Sequence, residues 1–250
     1  MNIMKSPLRY PGGKTRACKI LDEYVPKKSI MLSPFFGGGS FELHRGGQWY
    51  ANDLFEPVYA FWSMLKERPH ELIEQVKTLK PLTKEHFYTI RKSISQRDHL
   101  RMAAEFFAIN RCSFSGATFC GGFSQQSADG RFTESSIERM SKVALDSFTF
   151  TNMDAVEFLK QHPETDETWI YADPPYAIES YIYGQNGDLH IDFDHVRFSE
   201  YIKTRRDWTL SYNDCQFIRD LYSDCEIIEA SWAYGMNALK KSSELIIRSK

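Results

Sequence analysis

A short apolar run leads directly into three glycines in the stretch Met31-Leu32-Ser33-Pro34-Phe35-Phe36-Gly37-Gly38-Gly39-Ser40. The run from Met31 to Phe36 predicts a buried strand, and the glycines predict a tight turn, because glycine adopts backbone angles that other residues avoid. Residues 40–45 then predict the start of a helix. A strand, a glycine turn and a helix in this order are a building unit of α/β folds.

The alternation of strands and helices continues along the chain. A second predicted strand, Trp49 to Asp53, ends in an acid, and the segment from Pro57 to Arg68 has apolar residues at helical spacing. Further strands are predicted at residues 148–151, 168–172, 208–212, 226–228 and 245–247. This order favours an α/β fold with a mostly parallel sheet that is covered on both faces.

Residues 69–145 interrupt this alternation. The segment begins with a helical pattern and becomes rich in Gly, Ser and Phe over residues 113–130, without a strong period. We predict an insertion between sheet strands, a small helical unit that carries a loop or hairpin. The predicted division is a catalytic domain of residues 1–68 and 146–250 and an insertion of residues 69–145.

Composition restricts the class of protein. With 250 residues, of which 42% are hydrophobic and 26% charged, the chain can fold as one domain with a sizeable insertion. The N-terminus lacks a signal peptide's apolar region and no apolar run is long enough to cross a membrane, so we expect a cytoplasmic protein that is not secreted. Five cysteines without ligand-like pairing predict reduced thiols and no metal site. A net charge of −2 argues against a purely electrostatic nucleic-acid binder, although a local basic patch can still bind.

The most specific chemical motif is Asp173-Pro174-Pro175-Tyr176, directly after the predicted strand at residues 168–172. An acid at the carboxyl end of a parallel strand lies where open α/β sheets bind ligands. The two prolines make the backbone rigid and leave carbonyl groups available as acceptors. A carboxylate, a fixed carbonyl and an aromatic ring together suit the exocyclic amine of a planar base. A rigid turn with a capping aspartate is an equally good interpretation of this motif alone.

The glycine turn and Asp53 form the second motif. Glycines allow the backbone to approach a cofactor closely, and an acid at the end of the next strand bonds ribose hydroxyls in nucleoside-binding sheets. A helix cap remains the alternative role of Asp53.

A Gly-Lys-Thr sequence at residues 13–15 suggests a phosphate-binding loop. That motif requires a glycine where Leu8 stands and a preceding strand, which the sequence lacks. We therefore discard a nucleoside-triphosphatase function.

The three motifs, in this order, resemble the Dam-type DNA adenine methyltransferases of the α arrangement, the D12 class. In that family a Gly-Gly-Lys segment comes first, followed by a Pro-Phe-x-Gly-x-Gly turn, a target-recognition insertion and Asp-Pro-Pro-Tyr. The resemblance covers almost the whole chain. Further segments that resemble family motifs are residues 110–116, 130–132, 152–154, 210–214 and 240–245.

This resemblance implies a Rossmann-like sheet of seven strands with an antiparallel C-terminal hairpin. It implies an S-adenosylmethionine site with no metal, and duplex DNA as the partner. The implied catalytic residues are Asp173, Pro174, Pro175 and Tyr176, with Tyr176 stacking on the flipped adenine. The implied cofactor residues are Tyr10, Lys14, Pro34, Phe35, Phe36, Gly37, Gly38, Gly39, Ser40, Asp53 towards the ribose, Asp154 towards the adenine, and Asp173. The implied DNA-binding residues are Arg9, Arg111, Ser113, Phe114, Ser115 and Arg131.

Two departures from the family pattern affect these expectations. Ser33 stands where the family usually has an acid that contacts the cofactor. In the recognition loop, residues 114–119 lack the Tyr-Asn pair and following arginine of the GATC-specific members. Because arginine reads guanine edges in the major groove, this protein need not recognise GATC. Arg9 matches a family lysine that touches a base, whereas Arg111 and Arg131 suit either bases or phosphates.

Several alternatives stay open at this point. N4-cytosine DNA, RNA or protein-amide methylation needs similar chemistry, and a non-catalytic DNA-binding protein could keep the fold. The recognition-type insertion favours duplex DNA, and Asp before the prolines favours adenine. A restriction endonuclease would be a separate partner, in a bacterial, phage or other viral context. We also hypothesise that the polar, aromatic segment 177–195, with Tyr181 and Gly184, closes over the flipped base.

Overall fold

The computed structural model describes residues 4–10, 12–177, 193–233 and 241–250. Most of the segment for which we hypothesised a closing role, residues 178–192, lies outside these ranges, as does Lys240. The strands in the described residues are β1 (Ile30–Ser33), β2 (Gln48–Asn52), β3 (Phe148–Thr151), β4 (Thr168–Ala172), β5 (Trp208–Asn213), β6 (Glu226–Ala233) and β7 (Lys241–Arg248). The α-helices are α1 (Cys18–Tyr24), α2 (Ser40–Arg45), α3 (Glu56–Glu67), α4 (Pro69–Thr78), α5 (Lys84–Ser93), α6 (His99–Cys112), α7 (Gln125–Arg131), α8 (Glu134–Glu138), α9 (Ala155–Gln161), α10 (His195–Ile202) and α11 (Gln216–Leu221).

The seven described strands form one sheet in the order β3-β2-β1-β4-β5-β7-β6. Strands β1 to β5 pair in parallel, and β7 pairs antiparallel with both β5 and β6. This confirms the predicted Rossmann-like methyltransferase sheet with its antiparallel C-terminal hairpin. Because β1 lies between β2 and β4, the chain changes direction across the sheet there, and such a point leaves a crevice at the carboxyl ends of the strands.

Hydrophobic clusters cover both faces of the sheet. One cluster joins the sheet to α1, α2, α3 and the inserted helices, and the other joins it to α9, α10 and α11. In α3 the predicted helical spacing is confirmed, because Val58, Phe61, Trp62 and Leu65 are all buried. Pro57 lies in the first turn of α3, where a missing backbone N–H costs nothing.

The inserted segment 69–145 is helical and contains no strand of the sheet. Its longest helix, α6, is buried from Met102 to Cys112 and packs against α3, where the rings of Phe61 and Phe107 stack with centroids 5.8 Å apart. Its Gly/Ser/Phe-rich part is a loop with two single 3₁₀ turns, Phe114–Gly116 and Thr118–Cys120, which leads into α7. One isolated antiparallel bridge, between Ser113 and Phe123, takes the place of a hairpin.

Candidate active site

A cavity opens at the carboxyl ends of β1, β2 and β4. The predicted cofactor residues line it, with the exceptions of Pro34 and Asp154. The first three residues of the predicted catalytic motif, Asp173 to Pro175, form part of the same wall. Tyr176 lies behind this wall with its ring buried. The sheet thus brings together two motifs that are more than a hundred residues apart in sequence.

The glycine turn forms one side of the cavity and packs tightly against two aromatic rings. Gly39 has a φ of +60°, and a Cβ atom at this position would lie 2.5 Å from Cζ of Phe36. A Cβ atom on Gly38 would lie 2.7 Å from Cβ of Tyr10. The Gly37 carbonyl accepts a hydrogen bond from the Trp62 indole at 2.8 Å, which fixes the turn to α3. The turn therefore needs glycine both for its backbone angles and for its neighbours.

Replacing Gly39 by alanine is expected to destabilise the protein and weaken ligand binding in the cavity. Gly46 provides a control for backbone strain alone, since its φ is +64° and nothing lies within 4 Å of an added Cβ atom. Its ψ of −167° belongs to a region essentially confined to glycine, so Gly46→Ala should cost about 1–3 kcal/mol. Gly39 has a ψ of 27° and is left-handed, so Gly39→Ala should cost about 1–2 kcal/mol of backbone strain and about 1–3 kcal/mol more because it also overpacks the turn. Urea unfolding of both variants tests this, and a loss of less than about 2 kcal/mol for Gly39→Ala would show that the contact with Phe36 is unimportant.

Asp53 lies at the end of β2 and points back at the glycine turn. Its carboxylate accepts hydrogen bonds from the backbone N–H groups of Gly37 (2.7 Å) and Phe55 (2.9 Å). Burial raises its pKa to about 6, against the opposing effect of these two hydrogen bonds. Asp53 is not the N-cap of α3, because that position is Phe55, and the Asp53 carboxylate instead holds the turn that leads into the helix and lines the cavity.

Asp154 occupies a different environment from the one that the resemblance implied. Its side chain caps α9 by accepting from the N–H groups of Val156 and Glu157, and both of its oxygens also bind Arg197 at 3.0 Å. Pro34 contributes its carbonyl to the Asn52 side chain. The structure thus gives both residues positioning contacts next to the cavity, and neither lines it.

Asp173 ends β4 in a network of buried polar groups. Lys14, which is 3% exposed, donates to both carboxylate oxygens of Asp173, at 2.7 and 2.8 Å. Ser211 on β5 donates to Oδ1 of Asp173 at 2.9 Å. Lys14 also donates to the Tyr176 hydroxyl, which in turn donates to the buried carboxylate of Glu244 on β7. The carboxylate of Asp173 is therefore fixed in one orientation at the cavity wall.

The sequence did not identify the roles of Ser211, Glu244 and Glu42. Ser211 and Glu244 lie within segments that resembled family motifs, and that was the only signal for them. Glu42 is buried in α2 and lines the cavity, where its carboxylate accepts a hydrogen bond from Ser33 at 2.7 Å. Burial raises the pKa of Glu42 to about 7.

Four arginines gather beside the cavity, at the loop that follows α6. The three predicted ones, Arg9, Arg111 and Arg131, are joined by Arg139, which the sequence did not indicate. The pKa of Arg111 is lowered to about 10, first by burial and then by the charges of the other three. Among the described residues none of the four forms an ion pair with an acid. The arginine cluster, as we call these four residues, is therefore an uncompensated positive patch.

The residues of the predicted recognition loop divide into buried and exposed positions. Phe114 is 67% exposed and Ser115 is exposed, whereas Ser113 is fully buried and bonded to the backbone of Asn110 and Thr118. Arg111 is also buried, and its guanidinium donates to the carbonyl of Arg131. Ser113 and Arg111 thus hold the loop together from inside.

Asn110 fastens the recognition loop to the N-terminal segment. Its side chain accepts from the backbone N–H of Arg9 at 2.9 Å and donates to the carbonyl of the same residue. Gly116, with a φ of +74°, lies so close that a Cβ atom there would be 2.8 Å from Cβ of Arg9. Arg9 is therefore held against the loop, next to the cavity.

Two further features concern metals and membranes. In residues 4–10, 12–177, 193–233 and 241–250 no group of three or more His, Cys, Asp or Glu side chains is arranged to hold a metal ion. Over the same ranges, none of the helices combines the length and the apolar character that crossing a bilayer requires.

The sheet order, the glycine turn and the Asp-Pro-Pro-Tyr strand end together define a methyltransferase of the Rossmann-like type. Residues 10–236 match the family model described as D12 class N6 adenine-specific DNA methyltransferase. The chain therefore belongs to the D12 class of N6 adenine-specific DNA methyltransferases.

Relatives of the chain carry names that agree with this family. The chain is 23% identical to the Type II methyltransferase M.CviBI of Paramecium bursaria Chlorella virus NC1A, over 88% of this chain and 86% of the relative. It is 24% identical to the DNA adenine methylase of Escherichia coli K12, over 68% of this chain and 64% of the relative. It is 22% identical to the Type II methyltransferase M.MjaIII of Methanocaldococcus jannaschii, over 69% of each chain.

Proposed function

We propose that this adenine-specific DNA methyltransferase takes its methyl group from S-adenosylmethionine and places it on N6 of an adenine flipped out of duplex DNA, with Asp173 and the Pro174 carbonyl as acceptors for the amine. The geometry of Asp173 carries this proposal. Lys14 and Ser211 both donate to Oδ1, whereas Oδ2 receives a donor from Lys14 alone among the described residues. Because a carboxylate oxygen has two lone pairs, Oδ2 keeps capacity for an amine at the cavity wall.

The cavity fits the chemistry of S-adenosylmethionine. Phe35 and Phe193 pack edge to face with centroids 5.3 Å apart and provide an aromatic wall for a flat base. The half-buried carboxylate of Asp53 suits ribose hydroxyls, and acidic groups suit a ligand with a sulfonium and an ammonium group. When bound, this cofactor supplies an electrophilic methyl group on sulfur. The glycine turn allows close approach to it because no Cβ atoms project from its backbone.

Asp173 and Pro174 would act on the target amine by hydrogen bonding. The lone pair of an exocyclic amine is delocalised into the ring, which makes the nitrogen a poor nucleophile. Two acceptors placed out of the ring plane favour a tetrahedral nitrogen and direct its lone pair towards the methyl group. They also stabilise the positive charge that develops on nitrogen during transfer. Lys14 and Ser211 contribute by holding the carboxylate in place before the base arrives.

Tyr176 remains the proposed stacking partner of the flipped adenine, and its ring, which lies behind the cavity wall here, would have to become accessible from the cavity for this role. Its hydroxyl is held between Lys14 and Glu244, and the Lys14 ammonium lies 4.9 Å from the ring centroid. The ring is consequently fixed in orientation. A base must leave the duplex to reach the cavity, which costs a few kcal/mol, and stacking recovers part of that cost.

The inserted segment 69–145 would form the DNA-recognition unit. It carries Arg111, Arg131 and Arg139 of the arginine cluster together with the exposed ring of Phe114. Uncompensated arginines attract phosphates, and an exposed aromatic ring can stack on bases. The remaining residues, 1–68 and 146–250, would form the catalytic domain.

Removing Arg131 and Arg139 together is expected to weaken DNA binding about tenfold at moderate salt. Each arginine that no longer neutralises a phosphate should make the fall of log affinity with log salt concentration less steep by about 1. The slope of the double alanine variant should therefore be less steep than that of the wild type by about 2. Arg206→Ala is the control, since Arg206 is exposed, lies just before the amino end of β5 and already pairs with Glu164. Fluorescence anisotropy across a salt series measures this. An unchanged slope in the double variant would show that DNA binds to the protein at a site other than the arginine cluster.

The target sequence and the biological context are proposals as well. The recognition loop lacks the arginine of the GATC-specific pattern, so we propose a target other than GATC. Two relatives are named as Type II methyltransferases, which supports a separate restriction endonuclease as partner. The relatives come from a virus, a bacterium and an archaeon, and we propose action in the cytoplasm of a bacterial or virus-infected cell.

The decisive experiment combines the purified protein, S-adenosylmethionine and unmethylated genomic DNA, followed by single-molecule sequencing. We expect N6-methyladenine at one short motif, and none with Asp173→Ala. The same reaction identifies the recognition sequence. Methylation of cytosine, or no methylation of DNA despite measurable cofactor binding, would overturn the proposed reaction.

A further inference from the structure

Glu42 is a buried carboxylate on the cavity wall that no cation in the described part of the chain pairs with directly. It is 3% exposed, and its carboxylate accepts a hydrogen bond from the Ser33 hydroxyl at 2.7 Å. The nearby Lys14 is engaged elsewhere, since its ammonium donates to both oxygens of Asp173, to Tyr176 and to the carbonyl of Gly12. The charge of Glu42 is thus left without its own counter-ion.

A buried acid of this kind is costly to keep. Burial raises the pKa of Glu42 to about 7, while hydrogen bonds from its own backbone N–H and from Ser33 act in the opposite direction. The charge of Asp173 raises this pKa further, and that of Lys14 lowers it. Burial raises the pKa values of Cys18 and Tyr171, and the charge of the neighbouring Glu42 raises them further. A binding site gains from such a group only if a ligand brings the missing positive charge.

The position of Glu42 also coincides with a departure in the sequence. Ser33 stands at the end of β1, at the position where the resemblance to the D12 class implies an acid. The Glu42 carboxylate on helix α2 lies 2.7 Å from the Ser33 hydroxyl. A negative charge is therefore present next to Ser33 even though residue 33 itself is uncharged. The chain thus supplies from position 42 the charge that is absent at position 33.

We propose that Glu42 binds the ammonium group of the methionine moiety of S-adenosylmethionine and replaces the acid absent at Ser33. This inference rests on the proposed cofactor. The other two acids on the cavity wall already have proposed roles, Asp53 towards the ribose and Asp173 towards the target amine. An ammonium group has N–H donors for a carboxylate, whereas a sulfonium has none. Glu42 is therefore matched to the ammonium end of the ligand.

Calorimetric binding of three ligands to the wild type and to Glu42→Gln tests this inference without measuring catalysis. S-adenosylmethionine and S-adenosylhomocysteine both carry the ammonium group, and 5′-methylthioadenosine lacks the amino-acid moiety. We expect Glu42→Gln to weaken the first two about 10- to 100-fold and to leave the third unchanged. A loss confined to S-adenosylmethionine would assign Glu42 to the sulfonium, and no loss would remove it from binding. Both outcomes would overturn the inference, whereas a wild type that binds none of the three would instead refute the proposed cofactor.

A second variant and a pH series separate a binding role from a structural one. Adding Ser33→Asp to Glu42→Gln should restore affinity to within about threefold of the wild type. Below pH 7 the wild type should lose S-adenosylhomocysteine affinity by up to about tenfold per pH unit, since Glu42 becomes protonated and neutral. Glu42→Gln should lack this component, while Asp53 titrates in both proteins. A folded double variant without recovery, or equal pH slopes, would contradict the inference.

Discussion

Asp173→Asn is expected to lower the methylation rate about 10²- to 10³-fold, the size of effect that follows loss of one electrostatic contact to a reacting group. Asparagine keeps the shape of the side chain but removes the negative charge that stabilises the positive nitrogen. It also turns part of the acceptor surface into a donor. Single-turnover methylation of a duplex that contains the mapped motif measures the effect.

Asp214→Asn is the matched control for this prediction. Asp214 follows the neighbouring strand β5 and pairs with Arg219 through both carboxylate oxygens, away from the cavity. The same chemical change there should alter the methylation rate by less than about threefold. If Asp173→Asn kept a third of the wild-type rate, the assigned role of Asp173 would be wrong.

Lys14→Met is expected to give the second largest effect, about a 10²-fold loss of methylation rate together with lower stability. Lys14 fixes both oxygens of Asp173, and a displaced carboxylate loses the geometry on which catalysis depends. Removing one partner of a buried ion pair costs about 3–5 kcal/mol, and we expect the lower end because the Asp173 side chain is 23% exposed. Urea unfolding and single-turnover rates provide the two measurements.

A double-mutant cycle distinguishes the positioning role of Lys14 from an independent one. If Lys14 acts through Asp173, the rate of the double variant Lys14→Met, Asp173→Asn should be close to that of Asp173→Asn alone. Lys27→Met, at an exposed lysine, should leave both rate and stability unchanged. Full additivity of the two losses in the cycle would show that Lys14 contributes by another route.

The central strands were predictable because their apolar residues are continuous. The predicted bounds of β3 and β4 agree with the structure, and β2 differs by one residue at each end. The strand predicted at residues 31–36 ends earlier, at Ser33, because Pro34 has no N–H for the sheet and begins the glycine turn.

The lengths of the two strands of the C-terminal hairpin were underestimated for a different reason. The predictions at residues 226–228 and 245–247 covered only the apolar end of the pair, where β6 begins, whereas β6 extends to Ala233 and β7 begins at Lys241. Pairings such as Ala230 with Glu244 and Ser231 with Ser243 carry the ladder through polar residues. Backbone hydrogen bonds hold these ends together, and they leave no hydrophobic pattern in the sequence.

The sequence by itself determined the class of fold, the family, and the two motifs that form the cavity, because strand periodicity, glycine turns and Asp-Pro-Pro-Tyr are local properties of the chain. Only the tertiary structure decided which side chains contact the residues of these two motifs. Lys14 meets Asp173 across 159 residues, and Ser211 and Glu244 reach the same network from two other strands. Such contacts depend on how the sheet orders its strands and how α2 and the N-terminal segment pack at its edge. No spacing along the sequence specifies them, and this is why Glu42 and Arg139 became visible only in the folded chain.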